Sequence, residues 1–178
     1  YAGSTTNEIA HQLGLKKASL YHHIEKKEDL LYEICLDCLM TINHAVTHAL
    51  RGVEAPEERL RLLILTHTQE SLKRQDEFVT ALIDRRYLSP DRRMHVMYHH
   101  DTYQALVQRT IRAAQAAGVV RGDVTDQMLT LMLLNLLNWT AFWYRDDGTL
   151  TTDALGALLL EQFLHGAVVP SATPPVIG

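Results

Sequence analysis

Ser4-Thr-Thr-Asn-Glu-Ile-Ala-His-Gln-Leu-Gly-Leu-Lys-Lys-Ala-Ser-Leu-Tyr-His-His-Ile24 is the stretch that decides the architecture. Thr5 and Glu8 stand at capping-box spacing, so hydroxyl and carboxylate can satisfy a helix's orphan amides reciprocally. Ile9, Ala10 and Leu13 form that helix's inner face, Gly14 supplies a tight turn, and Leu15 and Leu20 anchor a second helix. Two short helices, about 6–13 and 17–24, joined by a turn with glycine read as a helix-turn-helix.

Outward from this pair, proline and glycine divide the chain into further helices, and no segment alternates with period two. A long helix is predicted from about 27 to 50, stopped by Arg51-Gly52. Pro56 opens one to about 75, and another covers about 77–87. Ser89-Pro90 pairs a capping hydroxyl with a first-turn proline and opens a helix that ends at Gly118. Helices over 125–145 and 152–165 follow, separated by Asp146-Asp147-Gly148. The fold class is all-α. Residues 1–45 read as a helix-turn-helix domain and 46–167 as a helical ligand-binding and dimerisation domain. Residues 168–178, with three prolines and little to bury, read as a disordered tail. The chain opens at Tyr1 within what reads as a motif, so the expectation is an N-terminally truncated first domain.

A length of 178 residues lets about 70% of the unfolded surface be buried without disulfide staples. The formal charge of −4 excludes a wholesale coat of nucleic acid, so any DNA contact must be local. Cys35 and Cys38 are too few for a secreted disulfide framework. The longest apolar stretch, Leu129 to Leu137, is interrupted by Thr130 and Asn135, too short to span a bilayer. With no signal peptide in view, the chain reads as cytoplasmic, without a membrane partner.

The helix after Pro90 carries one apolar stripe, Tyr103, Leu106, Val107, Thr110, Ala114 and Ala117. The helix over 128–144 is apolar nearly all round and must be covered on two sides. The last helix shares the problem, with Leu155, Leu158, Leu159 and Phe163 on one face and Gly156, Leu160 and Leu164 elsewhere. Two such helices suit a four-helix homodimer seam, with Leu133, Leu137, Leu155, Leu158, Leu159 and Phe163 as contact residues. A crowded monomer core is the alternative.

The pattern from Thr5 through Ile9-Ala10, Gly14, Leu20-Tyr21-His22-His23 and Lys27-Glu-Asp-Leu-Leu31 closely resembles the DNA-binding module of TetR-type repressors over about 27 residues. The resemblance implies a bacterial regulator binding a pseudo-palindromic operator as a dimer, with a recognition helix over about 17–24. It also implies that Lys27 opens the helix linking reader to pocket, and that a further helix, lacking here, precedes the pair. Where the family places serine caps, this sequence has Lys16 and Lys26. A lost cap costs about 1 kcal/mol, which a lysine facing a phosphate offsets. Thr5, Tyr21, His22 and Lys27 are candidates for positioning phosphates, and Lys16, Lys17, Ala18 and Ser19 for reaching base edges.

Cys35, Cys38, His44 and His48 carry zinc-ligand types, but on one continuous helix the cysteines and histidines lie on nearly opposite sides. No metal or cofactor is read from them. His99-His100-Asp101 offers either an acid/base cluster or a solvated or pocket-lining patch. No nucleophile elbow or phosphate loop accompanies it, so no enzyme is read.

Asn135 and Asn138 are polar groups on an apolar helix, followed by Trp139 and Phe142, and buried amides need partners. A ligand is one partner; backbone or cross-dimer hydrogen bonds are another. Asp84-Arg85-Arg86 and Asp91-Arg92-Arg93 flank the Ser89-Pro90 corner, either a site for an anionic head group or a salt-bridged corner. Arg85, Arg86, Tyr87, Arg92 and Tyr103, with Asn135, Asn138, Trp139 and Phe142, are thus the candidate ligand residues. Asn138-Trp-Thr-Ala-Phe-Trp-Tyr-Arg145-Asp-Asp-Gly-Thr-Leu-Thr151 resembles a segment of TetR-type repressors that respond to acyl-CoA thioesters. That resemblance implies an acyl-CoA effector. A neutral lipophilic drug or metabolite, or a helical adaptor without DNA binding, are the competing readings.

Overall fold

The computed structural model describes residues 27–165. The helix-turn-helix stretch and the tail lie outside the described residues, and with them Thr5, Lys16, Lys17, Ala18, Ser19, Tyr21 and His22. The described part consists of α1 (Lys27–Ala49), α2 (Pro56–Lys73), α3 (Gln75–Ile83), a 3-10 turn (Asp84–Tyr87), α4 (Pro90–Ala116), α5 (Asp126–Trp143) and α6 (Thr152–His165). Among the described residues there is no strand, and no helix is long and apolar enough to cross a membrane.

Local chemistry sets most boundaries. Pro56 and Pro90 occupy first-turn positions, where a missing N–H costs nothing. The Thr125 hydroxyl accepts from the Met128 amide at 3.2 Å and caps α5. At the end of α4, Gly118 takes φ 73°, Val119 N–H donates to the Ala114 carbonyl at 2.9 Å, and Gly118 N–H to Gln115 at 3.0 Å. That pair of bonds is a Schellman stop. The Ser89 hydroxyl makes no cap bond, contrary to expectation. Instead the Ser89 N–H donates to Glu28 Oε1 at 2.9 Å, so a side chain from α1 steadies the start of α4. The helix expected over 77–87 begins at Gln75 and tightens to 3-10 geometry at Asp84. Between α2 and α3, Arg74 holds the bend by pairing with Glu77 at 2.9 Å and with Asp37 of α1.

α1 packs against α2, α3 and α4; α2 also meets α6 and α4, and α5 lies on α4. Leu31, Cys35, Cys38, Ile42 and Val46 put one face of α1 into the core, while His44 and His48 are exposed on the other. α1 and α4 run side by side in the same direction: Asp29 and Tyr32 meet Arg92 and His95 near their starts. Further along, Leu39 and Ile42 share a cavity with His100 and Tyr103.

The two faces of α5 are the reverse of the expectation. Leu133 and Leu137 are fully enclosed by their own chain, as are Leu155 and Leu159 of α6, so none of the four is a surface for a second copy. Phe163 is half-buried against the same core, and of the expected seam residues Leu158 alone is exposed. Met128, Leu131, Met132, Asn135, Trp139, Phe142 and Trp143 follow helical spacing along the outer face, with Trp139 56% exposed. Asn135, Trp139 and Phe142 therefore point away from the interior that the ligand assignment required. The physical reason is the all-round apolarity of α5, which leaves periodicity nothing to choose between.

Candidate functional site

Five helices contribute short-spaced pairs or single side chains to one interior cavity. α1 gives Leu39 and Ile42, α2 gives His67, α3 gives Phe78 and Leu82, α4 gives His100 and Tyr103, and α5 gives Leu134 and Asn138. Each pair is three or four residues apart, which places both members on one helix face. The space measures about 30 Å³, close to the volume of one water molecule.

His67 is the chemical centre of this wall. It falls on the inner stripe of α2, in register with Leu60, Leu63, Ile64 and Ser71, and is 2% exposed. Its Nδ1 lies 2.7 Å from the Tyr103 phenol oxygen, and Phe78 presents its ring edge-on at 6.0 Å between centroids. Burial depresses the imidazole pKa from 6.5 to about 4, so the ring is neutral near pH 7. The Asn138 side chain favours the charged ring but makes no well-formed hydrogen bond to it, leaving Nε2 buried without a partner. A buried polar atom left in this way costs about 1–3 kcal/mol. Burial likewise pushes the Tyr103 phenol far above the usual range, so it remains a proton donor. Cys35 and Cys38, buried on α1, have thiols pushed up to about 11 by desolvation, which keeps them protonated.

Of the expected ligand residues, Tyr103 and Asn138 meet in this cavity and the others do not. Arg92 is engaged at the α1–α4 corner, paired with Asp29 and stacked over Tyr32 at 5.1 Å. Arg86 stacks on its neighbour Tyr87 at 5.0 Å, and both are exposed. Arg85 is half-buried on the same 3-10 turn, outside the cavity lining. The corner is thus salt-bridged at Arg92. In the His99-His100-Asp101 run, His100 faces the cavity and meets Asp101 at 3.2 Å, whereas His99 packs edge-on against His95 and Tyr98. His67 was missed because a single histidine among Thr66, Thr68 and Gln69 looks polar; its place on the Leu60-Leu63-Ile64 stripe was the available signal.

A model of the Tetracyclin repressor-like C-terminal domain matches residues 53–167, which include every cavity helix except α1. The chain belongs to the TetR family. A second TetR model, for the bacterial regulatory proteins of the tetR family, matches residues 1–34, where the sequence places the helix-turn-helix. Among curated relatives, the HTH-type transcriptional repressor KstR2 of Rhodococcus jostii is 25% identical over 170 residues, covering 94% of this chain and 82% of that protein. Among solved structures, the TetR-family regulator PfmR from Thermus thermophilus superposes with a TM-score of 0.85 at 30% identity, covering 95% of this chain and 92% of its own. The structure of AibR in complex with isovaleryl coenzyme A and operator DNA superposes with a TM-score of 0.82 at 24% identity, covering 92% and 89%. TetR-family proteins are DNA-binding regulators rather than enzymes, and this chain is a TetR-family transcriptional regulator.

Proposed function

We propose that this regulator is a repressor that binds a pseudo-palindromic operator as a homodimer and is released by a small effector, an acyl-CoA thioester. The observation that carries the reading is the interior cavity, because two of its lining residues, Leu39 and Ile42, belong to α1, the helix that follows the reader in the sequence. At 1.5 Å per residue, Leu39 lies about 15 Å along α1 from Asp29. A group that widens the cavity would therefore tilt the end of α1 that carries the reader. Thr5, Tyr21, His22 and Lys27 would position phosphates, and Lys16, Lys17, Ala18 and Ser19 would face bases.

The outer face of α5 supports the dimer. Trp139, Phe142 and Trp143 with Met128, Leu131 and Met132 are large apolar side chains left exposed on one helix face, and Leu158 of α6 is exposed as well. This is the kind of surface that marks an interaction site. Two copies of this face would build a four-helix seam and hold recognition helices about one DNA turn apart, ~34 Å. The thioester is supported by the Asn138 to Thr151 segment and by AibR, whose structure holds isovaleryl coenzyme A. Moving the dimer from 1:99 to 99:1 in favour of release requires about 5.5 kcal/mol of differential effector affinity.

Fluorescence anisotropy of the full chain on its own upstream DNA, with and without a series of acyl-CoAs, tests this. Salt-sensitive binding released by one thioester is the expected result. Binding that no thioester disturbs would leave a repressor with another effector, and absence of specific binding would favour the adaptor.

A further inference from the structure

The cavity wall holds one polar atom that the fold leaves unanswered. Tyr103 is buried, and its phenol meets His67 Nδ1 at 2.7 Å. The phenol hydrogen needs an acceptor, and unprotonated Nδ1 supplies it. The neutral ring then carries its hydrogen on Nε2, which the Asn138 side chain approaches without forming a hydrogen bond of good geometry.

Building on the effector cavity above, we propose that His67 Nε2–H recognises an uncharged carbonyl oxygen, so that the cavity accepts a thioester or ketone and refuses the free carboxylate of the same chain length. Three observations carry this. The lining around His67 is chiefly Leu39, Ile42, Phe78, Leu82 and Leu134, which suits an aliphatic chain. No lysine or arginine lines it, and His100, which does, is already paired with Asp101 at 3.2 Å, so a carboxylate would be buried at far greater cost than a carbonyl. Arg85, Arg86 and Arg92 lie at the corner outside it, so the anionic part of a coenzyme thioester would stay in water. With only about 30 Å³ open, the chain must part the helices as it enters, the same movement that would tilt α1.

The test titrates the full chain calorimetrically with 2-heptanone, hexanoate and hexanoyl-CoA, using wild type, His67→Phe and His67→Gln. Both neutral carbonyls should bind wild type, with hexanoate at least about 10-fold weaker; His67→Phe should weaken the neutral pair about 10-fold and His67→Gln should recover part of it. The infrared stretch of a carbon-13-labelled 2-heptanone carbonyl should fall on binding to wild type and return to its apolar-solvent value in His67→Phe. A histidine that only filled space would not move that band. Hexanoate binding as tightly as 2-heptanone, or an unshifted carbonyl, overturns the proposal. Should 2-heptanone bind through His67 while hexanoyl-CoA does not, the carbonyl proposal stands and the thioester reading falls. Should hexanoyl-CoA bind wild type and His67→Phe equally, the reverse holds, and binding of none of the three overturns both. If His67→Phe does not fold, His67→Gln and the infrared band of the wild type decide.

Discussion

Arg92 in the first turn of α4 is ion-paired with Asp29 in the first turn of α1, and the same guanidinium lies over the Tyr32 ring. Glu28 joins the corner through the Ser89 amide, which holds its carboxyl below the usual range. The contact sits in the first turn of α1, about 15 Å along the helix from its cavity residue Leu39. On the proposed release mechanism, this contact would hold α1 in the position in which the cavity is closed.

Removing the pin should favour the displaced helix. Arg92→Met is expected to lower, several-fold, the effector concentration that half-releases operator DNA, measured by anisotropy. Asp29→Asn should do the same. The double variant should exceed neither single variant by much, since both break one contact. Unchanged release curves in all three would assign the corner no part in the switch.

The buried His67 makes stability depend on acidity. Its folded pKa of about 4 lies below the ordinary 6.5, so the unfolded chain binds more protons throughout that window. Stability contributed by the neutral ring is thus full above pH 6.5 and is lost as pH falls toward 4. Between pH 7 and pH 5 the loss should be about 2 kcal/mol, read from urea midpoints. His67→Gln should flatten that part of the profile. A slope identical to wild type would mean that other groups set it.

Gly118 ends α4 at φ 73° with no atom near enough to obstruct a methyl group. Its substitution therefore isolates backbone conformation from packing. Gly118→Ala should cost about 1 kcal/mol or slightly more, seen as a lower urea midpoint with unchanged slope. Gly156 makes a contrast, since a Cβ there would come 2.7 Å from Leu65 Cδ2 where α6 crosses α2. Gly156→Leu should cost about 1–3 kcal/mol through overpacking.

The helix order and most boundaries were legible because Pro56, Pro90 and Gly118 act locally, through a fixed φ, a missing N–H or a permitted positive φ. The all-α class and a single continuous α1 with cysteines and histidines on opposite sides were legible from pattern and helical geometry; that the cysteines are the buried side is set by what packs on α1. Most of the cavity was not legible. Asn138 stands out as a polar group on an apolar helix and Tyr103 as a member of the apolar stripe of α4, but His67 was hidden by its polar neighbours Thr66, Thr68 and Gln69 on α2. The faces of α5 were misassigned because bulky aromatics suggest an interior, while leucines at 133 and 137 fit inside or out equally well. That choice depends on which face α4 covers, a tertiary fact.

Two substitutions on α5 separate its faces. Leu137 is fully buried within the protomer, so Leu137→Ala should remove 2–5 kcal/mol, roughly, of protomer stability through the cavity it leaves. Trp139 is 56% exposed on the opposite face and touches Phe142 at 4.5 Å between ring centroids, so it contributes little to the protomer's own core. Trp139→Glu would instead place a charge at the centre of the proposed seam, in both copies at once. It should weaken the dimer by about 2 kcal/mol or more and shift sedimentation toward a folded monomer, with helical content retained. Operator affinity should fall with it, because one recognition helix alone reads only a half-site. The opposite pattern, with Leu137→Ala dissociating a stable protomer and Trp139→Glu leaving sedimentation unchanged, would move the seam to another face of the chain.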